Sequence, residues 1–80
     1  MLTSYIRAAM RRARYEIVEE DGSFYGEIAE IPGVWANAKS LELCREELES
    51  VLEGWLLVSI SDHSHIPDID GIRIEVRQVA

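Results

Sequence analysis

Metal-ligating side chains crowd one stretch of the chain, with Asp62, His63, His65, Asp68 and Asp70 all falling within residues 62–70. Carboxylates and imidazoles are the donors that hold zinc and related divalent ions. The spacing matches no standard ligand motif, and Asp is common in loops because its side chain stabilises turns. No metal site and no other cofactor is expected. Cys44 is the single cysteine and a potential nucleophile, but a reactive thiolate requires an exposed, electropositive setting. It shares helical spacing with Leu41, Leu48, Val51, Leu52, Trp55 and Leu56, which marks it as a buried structural side chain.

The remaining distinctive residues favour recognition. Glu42, Glu46, Glu49 and Glu53 recur at helical spacing and form an acidic stripe. The formal net charge of −7 is unevenly distributed: residues 1–14 hold four arginines and no acid, whereas residues 15–71 hold 14 acids against Lys39 and Arg45. An acidic body repels phosphate backbones, so nucleic acid is an unlikely partner for most of the surface. It attracts and steers a basic protein, although the same charge also serves simple solubility. Trp35 is read in two ways. If Val34, Ala36 and Ala38 point inward, Trp35 joins Val18 and Tyr25 on an outer sheet face with the composition of an interface hot spot. If the small residues face out, Trp35 belongs to the core.

Several elements must position these groups. Eighty residues, 48% of them hydrophobic and 29% charged, make one globular domain spanning 1–80. Such a chain buries only about 60% of its unfolded surface. With no disulfide available, self-association into a dimer or tetramer is the expected remedy. Leu2, Tyr5, Ile6, Ala9 and Met10 form the apolar stripe of an amphipathic helix over residues 1–14, and this stripe is the expected oligomerisation surface. Strands follow over 15–20 and 23–30, joined at Asp21-Gly22. An Asp-Gly pair there reads as a two-residue type I′ turn, which sets Glu16 opposite Glu27 and Tyr15 opposite Ile28. Ile31-Pro32-Gly33 turns the chain into a third strand over 34–38. Ser40 caps a long helix, Ile66-Pro67 lies in a loop, and Ile72, Ile74 and Val76 alternate with charged residues as a fourth strand. Arg73 and Arg77 would relieve the repulsion between Glu16 and Glu27 if strand 4 lay beside strand 1. The expected fold is α+β: an N-terminal helix, then β-β-β-α-β, with a four-stranded sheet of order 3-2-1-4 and the long helix on one face.

The segments Tyr15-Glu16-Ile17, Asp21-Gly22-Ser23-Phe24-Tyr25-Gly26-Glu27-Ile28, Ile31-Pro32-Gly33-Val34-Trp35-Ala36 and Ser40 to Leu48, with Ile66-Pro67 after them, resemble the amino-terminal domain of the HicB-like antitoxins. The resemblance implies a partial RNase H-like fold without nuclease activity. It also implies that the protein covers the active site of a small basic ribonuclease toxin of the HicA-like kind. Many members add a carboxy-terminal DNA-binding domain; the chain stops at Ala80, and none is expected here.

The residues agree with a non-enzyme. An RNase H-type site needs carboxylates converging on two metal ions, and the expected inward strand positions Tyr15, Ile17, Phe24, Ile28, Ile72 and Ile74 include no acid. The expected function is a non-catalytic, cytoplasmic antitoxin-like protein with no membrane partner. Its expected contacts are Val18, Tyr25 and Trp35 together with Glu42, Glu46, Glu49 and Glu53. The alternatives are a structural oligomer without a toxin, or a weak nucleic-acid binder acting through the arginine-rich first helix.

Overall fold

The computed structural model describes residues 2–74. Helix α1 (Leu2–Arg11) leads into strands β1 (Ala13–Ile17), β2 (Phe24–Ile28) and β3 (Trp35–Ala38), and helix α2 (Leu41–Ser61) follows. The architecture is α+β. The sheet is antiparallel and three-stranded, in the order β1-β2-β3. This corrects the expected four-stranded sheet of order 3-2-1-4. Ile72 and Ile74 pack against the core without joining the sheet, and positions 75–77 of the expected strand lie outside the described residues. The first helix is also shorter than expected, because Ala13 and Arg14 already belong to β1.

The two Asp-Gly pairs explain much of this difference. A type I′ turn needs left-handed backbone at both central positions. Asp70 (φ 51°) and Gly71 (φ 76°) meet that requirement, and Ile69 and Ile72 exchange backbone hydrogen bonds of 3.2 and 2.8 Å across them. The chain therefore folds back on itself at residues 69–72. At the first pair only Gly22 is left-handed (φ 71°), and Asp21 Oδ1 accepts from the Ser23 N–H at 2.9 Å. The loop widens to residues 19–22, closed by Val18 N–H to Ser23 O and Gly22 N–H to Val18 O, both 2.8 Å.

The wider loop moves the β1–β2 register by two residues, so that Tyr15 faces Gly26, Glu16 faces Tyr25 and Arg14 faces Glu27. A shift of two keeps every side chain on its expected face, because strand side chains alternate with period two. It removes the Glu16–Glu27 opposition, and with it the electrostatic reason for placing a fourth strand beside β1. Pro32 and Gly33 (φ 93°) form the next turn, closed by Val34 N–H to Ile31 O at 3.2 Å; positive φ after proline is the type II pattern.

Helix α2 begins where Ser40 Oγ accepts from the Leu43 N–H at 3.1 Å, with Glu42 in the first turn where the helix dipole favours an anion. Its buried stripe is narrower than the sequence implied. Cys44, Leu48, Leu52, Leu56 and Ser59 are buried, whereas Leu41 and Val51 are exposed. The stripe packs on the inner sheet face. Gly26 is required there: a Cβ would come within 2.9 Å of the Tyr15 ring and 3.1 Å of Cys44 Sγ. Ile17 lies on the same face but is exposed. Helix α1 packs beside α2 and buries Tyr5, Ala8 and Ala9, and the Tyr5 hydroxyl donates to Pro67 O at 2.6 Å. Arg12, between α1 and β1, ties the β2–β3 connection to the Asp70-Gly71 turn through Glu30 (2.8 Å) and Asp70 (2.5 Å). Among the described residues, no helix is long and apolar enough to cross a membrane.

Candidate partner-binding face

Alternation along the strands divides the sheet cleanly. Val34 and Ala36 are buried beneath it, and Trp35 between them is left 54% exposed on the outer face. Trp35 lies opposite Glu27 on β2, and Tyr25 lies opposite Asn37. The Tyr25 and Trp35 rings are therefore diagonal neighbours, and they stack with centroids 6.0 Å apart and planes at 26°. Such a pair contributes about 0.5–1.5 kcal/mol beyond the area it covers, which holds a large apolar surface in a fixed position while it remains open to solvent.

Charged and polar groups frame the stack. The Tyr25 hydroxyl donates to Glu27 Oε1 at 3.1 Å. Partial burial pushes the Tyr25 hydroxyl pKa up, helped by that hydrogen bond and by the charges of Glu27 and Glu16, so the group stays a donor. Asn37 Nδ2 donates to Ser23 Oγ and Phe24 O, both at 2.9 Å, and pins the hairpin end to β3. Hollows flank Trp35 on both sides. One of 320 Å³ is bounded by Tyr25, Glu27, Pro32 and Gly33, and the other of 430 Å³ by Asn37, Glu47 and Val51. Val18, half-buried, continues this face at the hairpin end. Glu47 and Val51 were not anticipated in this role; their i, i+4 spacing on α2 was the available signal.

The other candidate residues lie elsewhere. Glu42, Glu46, Glu49 and Glu53 are exposed on α2, in the opposite layer from Trp35. Glu49 and Glu53 line a groove with Arg7, Arg11 and Arg45, so cations of the same chain stand beside them. Of the expected oligomerisation residues, Tyr5 and Ala9 are fully buried within the protomer, Ile6 and Met10 pack against its core, and only Leu2 is exposed. In the 62–70 loop, Asp68 pairs with Arg73 at 3.1 Å and Asp70 pairs with Arg12. Among the described residues, no three His, Cys, Asp or Glu side chains form a metal-binding group. Cys44 is fully buried. Its thiol lies 3.7 Å from Ala36 O, and burial pushes its pKa up, which opposes thiolate formation.

A family model described as UPF0150-like matches residues 4–67. The chain belongs to the UPF0150-like family. The family match takes in most of α1, all of α2 and the whole sheet, including the Tyr25–Trp35 face, and stops before the Asp70-Gly71 turn. The crystal structure of TTHA0281 from Thermus thermophilus superposes with a TM-score of 0.87 at 45% sequence identity, covering 96% of this chain and 95% of that one. No curated protein matches. Membership of the UPF0150-like family is consistent with the HicB-like resemblance of the sequence and assigns no partner.

Proposed function

We propose that this UPF0150-like domain is a non-catalytic, antitoxin-like binding module that holds a small basic ribonuclease against the outer face of its sheet. The observation that carries this reading is the stacked Tyr25–Trp35 pair, half-buried Tyr25 on the central strand and exposed Trp35 on the edge strand β3, on a face that also presents Glu16 and Glu27. Aromatic anchors with polar surroundings are the composition of protein–protein hot spots. The carboxylates complement the surface that a ribonuclease uses to bind RNA phosphates. Glu27 is engaged by Tyr25 and faces Arg14 across the sheet, an arrangement suited to orienting a side chain for contact. The carboxylates of α2 add long-range attraction from the opposite layer and accelerate encounter without direct contact.

Co-production with a small basic ribonuclease encoded in an adjacent reading frame tests this reading. The wild-type domain is expected to co-purify with the enzyme and suppress its cleavage of RNA, and Trp35→Ala is expected to release that inhibition. The domain alone should leave RNA and DNA–RNA hybrid intact in the presence of Mg²⁺ or Mn²⁺. Metal-dependent cleavage that disappears in Glu16→Gln or Glu27→Gln would establish an enzyme instead.

A further inference from the structure

The outward side of the two-helix layer carries a second surface, remote from the sheet face. One end of the groove between α1 and α2 is apolar, a hollow of 320 Å³ walled by Leu2, Ile6, Leu57 and Ile60. Leu57 is 67% exposed and Leu2 41% exposed. The other end, a hollow of 430 Å³, is lined by Arg7, Arg11, Arg45, Glu49 and Glu53. Ile6 and Glu53 belong to both hollows, so the groove is continuous. Within it α1 supplies Arg7 and Arg11 and no carboxylate, whereas α2 supplies Glu49 and Glu53, with Arg45 one turn before Glu49.

We propose that this groove is the interface of a symmetric dimer, occupied by the same groove of a second copy. Charge decides the occupant. A uniformly basic partner meets Arg7 and Arg11, and a uniformly acidic one meets Glu49 and Glu53. A second copy turned about a two-fold axis parallel to the helices satisfies both rows. That rotation lays α1 of one copy on α2 of the other and preserves height along the groove. Arg7 and Arg11 then face Glu53 and Glu49 of the other copy, Leu2 faces Leu57 and Ile60, and symmetry makes each contact twice. At 1.5 Å per residue the ten residues of α1 span about 15 Å, so the face that the two helices share, roughly 20 Å wide, covers on the order of 300 Å² per copy. Two such faces fall short of the total of about 1,000 Å² typical of a stable specific interface, which places the dimer in the weak, concentration-dependent range. Dimerisation covers apolar surface that a small chain without a disulfide leaves open.

Sedimentation equilibrium on the full chain, from low to high micromolar concentration, tests the proposal. The wild type is expected to dimerise reversibly and to dissociate on dilution. Arg7→Glu sets carboxylates against carboxylates at both symmetric contacts, and Glu53→Arg sets arginines against arginines, so each is expected to weaken the dimer at least about tenfold. An equal mixture of the two variants restores both contacts and should recover a heterodimer. Thermal melting by circular dichroism establishes that each variant is folded; if either is not, Arg11→Glu with Glu49→Arg makes the same test. A wild type that stays monomeric throughout, single variants that dimerise as the parent does, or a mixture no stronger than its components would each overturn the proposal.

Discussion

The inner and outer faces of the sheet use the same three strands to opposite ends. Inside, Gly26, Ala36 and Cys44 bring backbone, ring and thiol close together, and the Leu48–Leu52–Leu56 stripe of α2 closes the layer. Outside, Trp35 stands exposed and stacks on the half-buried ring of Tyr25. Small residues are needed where two layers approach closely, whereas a large exposed ring where nothing covers it is the reverse of what folding alone favours. Tryptophan on the outer face adds little to the fold, and the proposed function gives it a role in binding. The comparison predicts that inner substitutions act on stability and outer ones on binding.

The largest effect is expected at Leu48. Truncation to alanine removes buried apolar contacts and leaves a cavity, a loss of about 3 kcal/mol by urea denaturation, with partner affinity unchanged per folded molecule. Gly26→Ala follows. The added methyl meets the Tyr15 ring at 2.9 Å, and overpacking of this kind costs about 1–2 kcal/mol. A wild-type denaturation midpoint for Gly26→Ala would show that the inner face is looser than the outer. Trp35→Ala inverts the pattern: its fold should lose no more than about 1 kcal/mol, the scale of one aromatic stack.

The smallest effect concerns pH. Arg12 holds the Glu30 carboxyl below the usual carboxylate range, through its hydrogen bond first, and the hydrogen bonds of Ser23 do the same for Asp21. Because these folded-state values are depressed, the stabilisation is fully present above the ordinary carboxyl pKa of about 4 and is lost as pH falls through the folded value. Asp21 is exposed and Glu30 only half-buried, so the contribution is small. Arg12→Met should flatten the acid side of the stability profile slightly, and Asp21→Ala should flatten it independently.

Patterns local to one element were legible in the sequence. Ser40 capping, the Pro32-Gly33 turn and the end of α2 near Ser61 all follow from residue type and spacing; for Trp35 the spacing offered two orientations, and the burial of Val34 and Ala36 selects the outer one. Pairing between elements was not. Nothing in an isolated Asp-Gly pair reveals whether its aspartate will occupy the left-handed region, as Asp70 does, or accept a hydrogen bond from Ser23, as Asp21 does. That single alternative moved the β1–β2 register and removed the reason for a fourth strand. Helix spacing likewise showed that α1 has an apolar stripe, but it did not show that the stripe would be buried on the same chain's α2.

The most direct test of the binding face is the dissociation rate of the complex with a small basic ribonuclease, measured for the wild type and for Trp35→Ala at matched fold stability. A central anchor truncated to alanine costs about 2 kcal/mol or more and acts mainly through faster release. The account therefore predicts dissociation at least roughly 30-fold faster for Trp35→Ala, with Glu16→Lys changing chiefly the association rate and its salt dependence. Equal dissociation rates for the two proteins would contradict it.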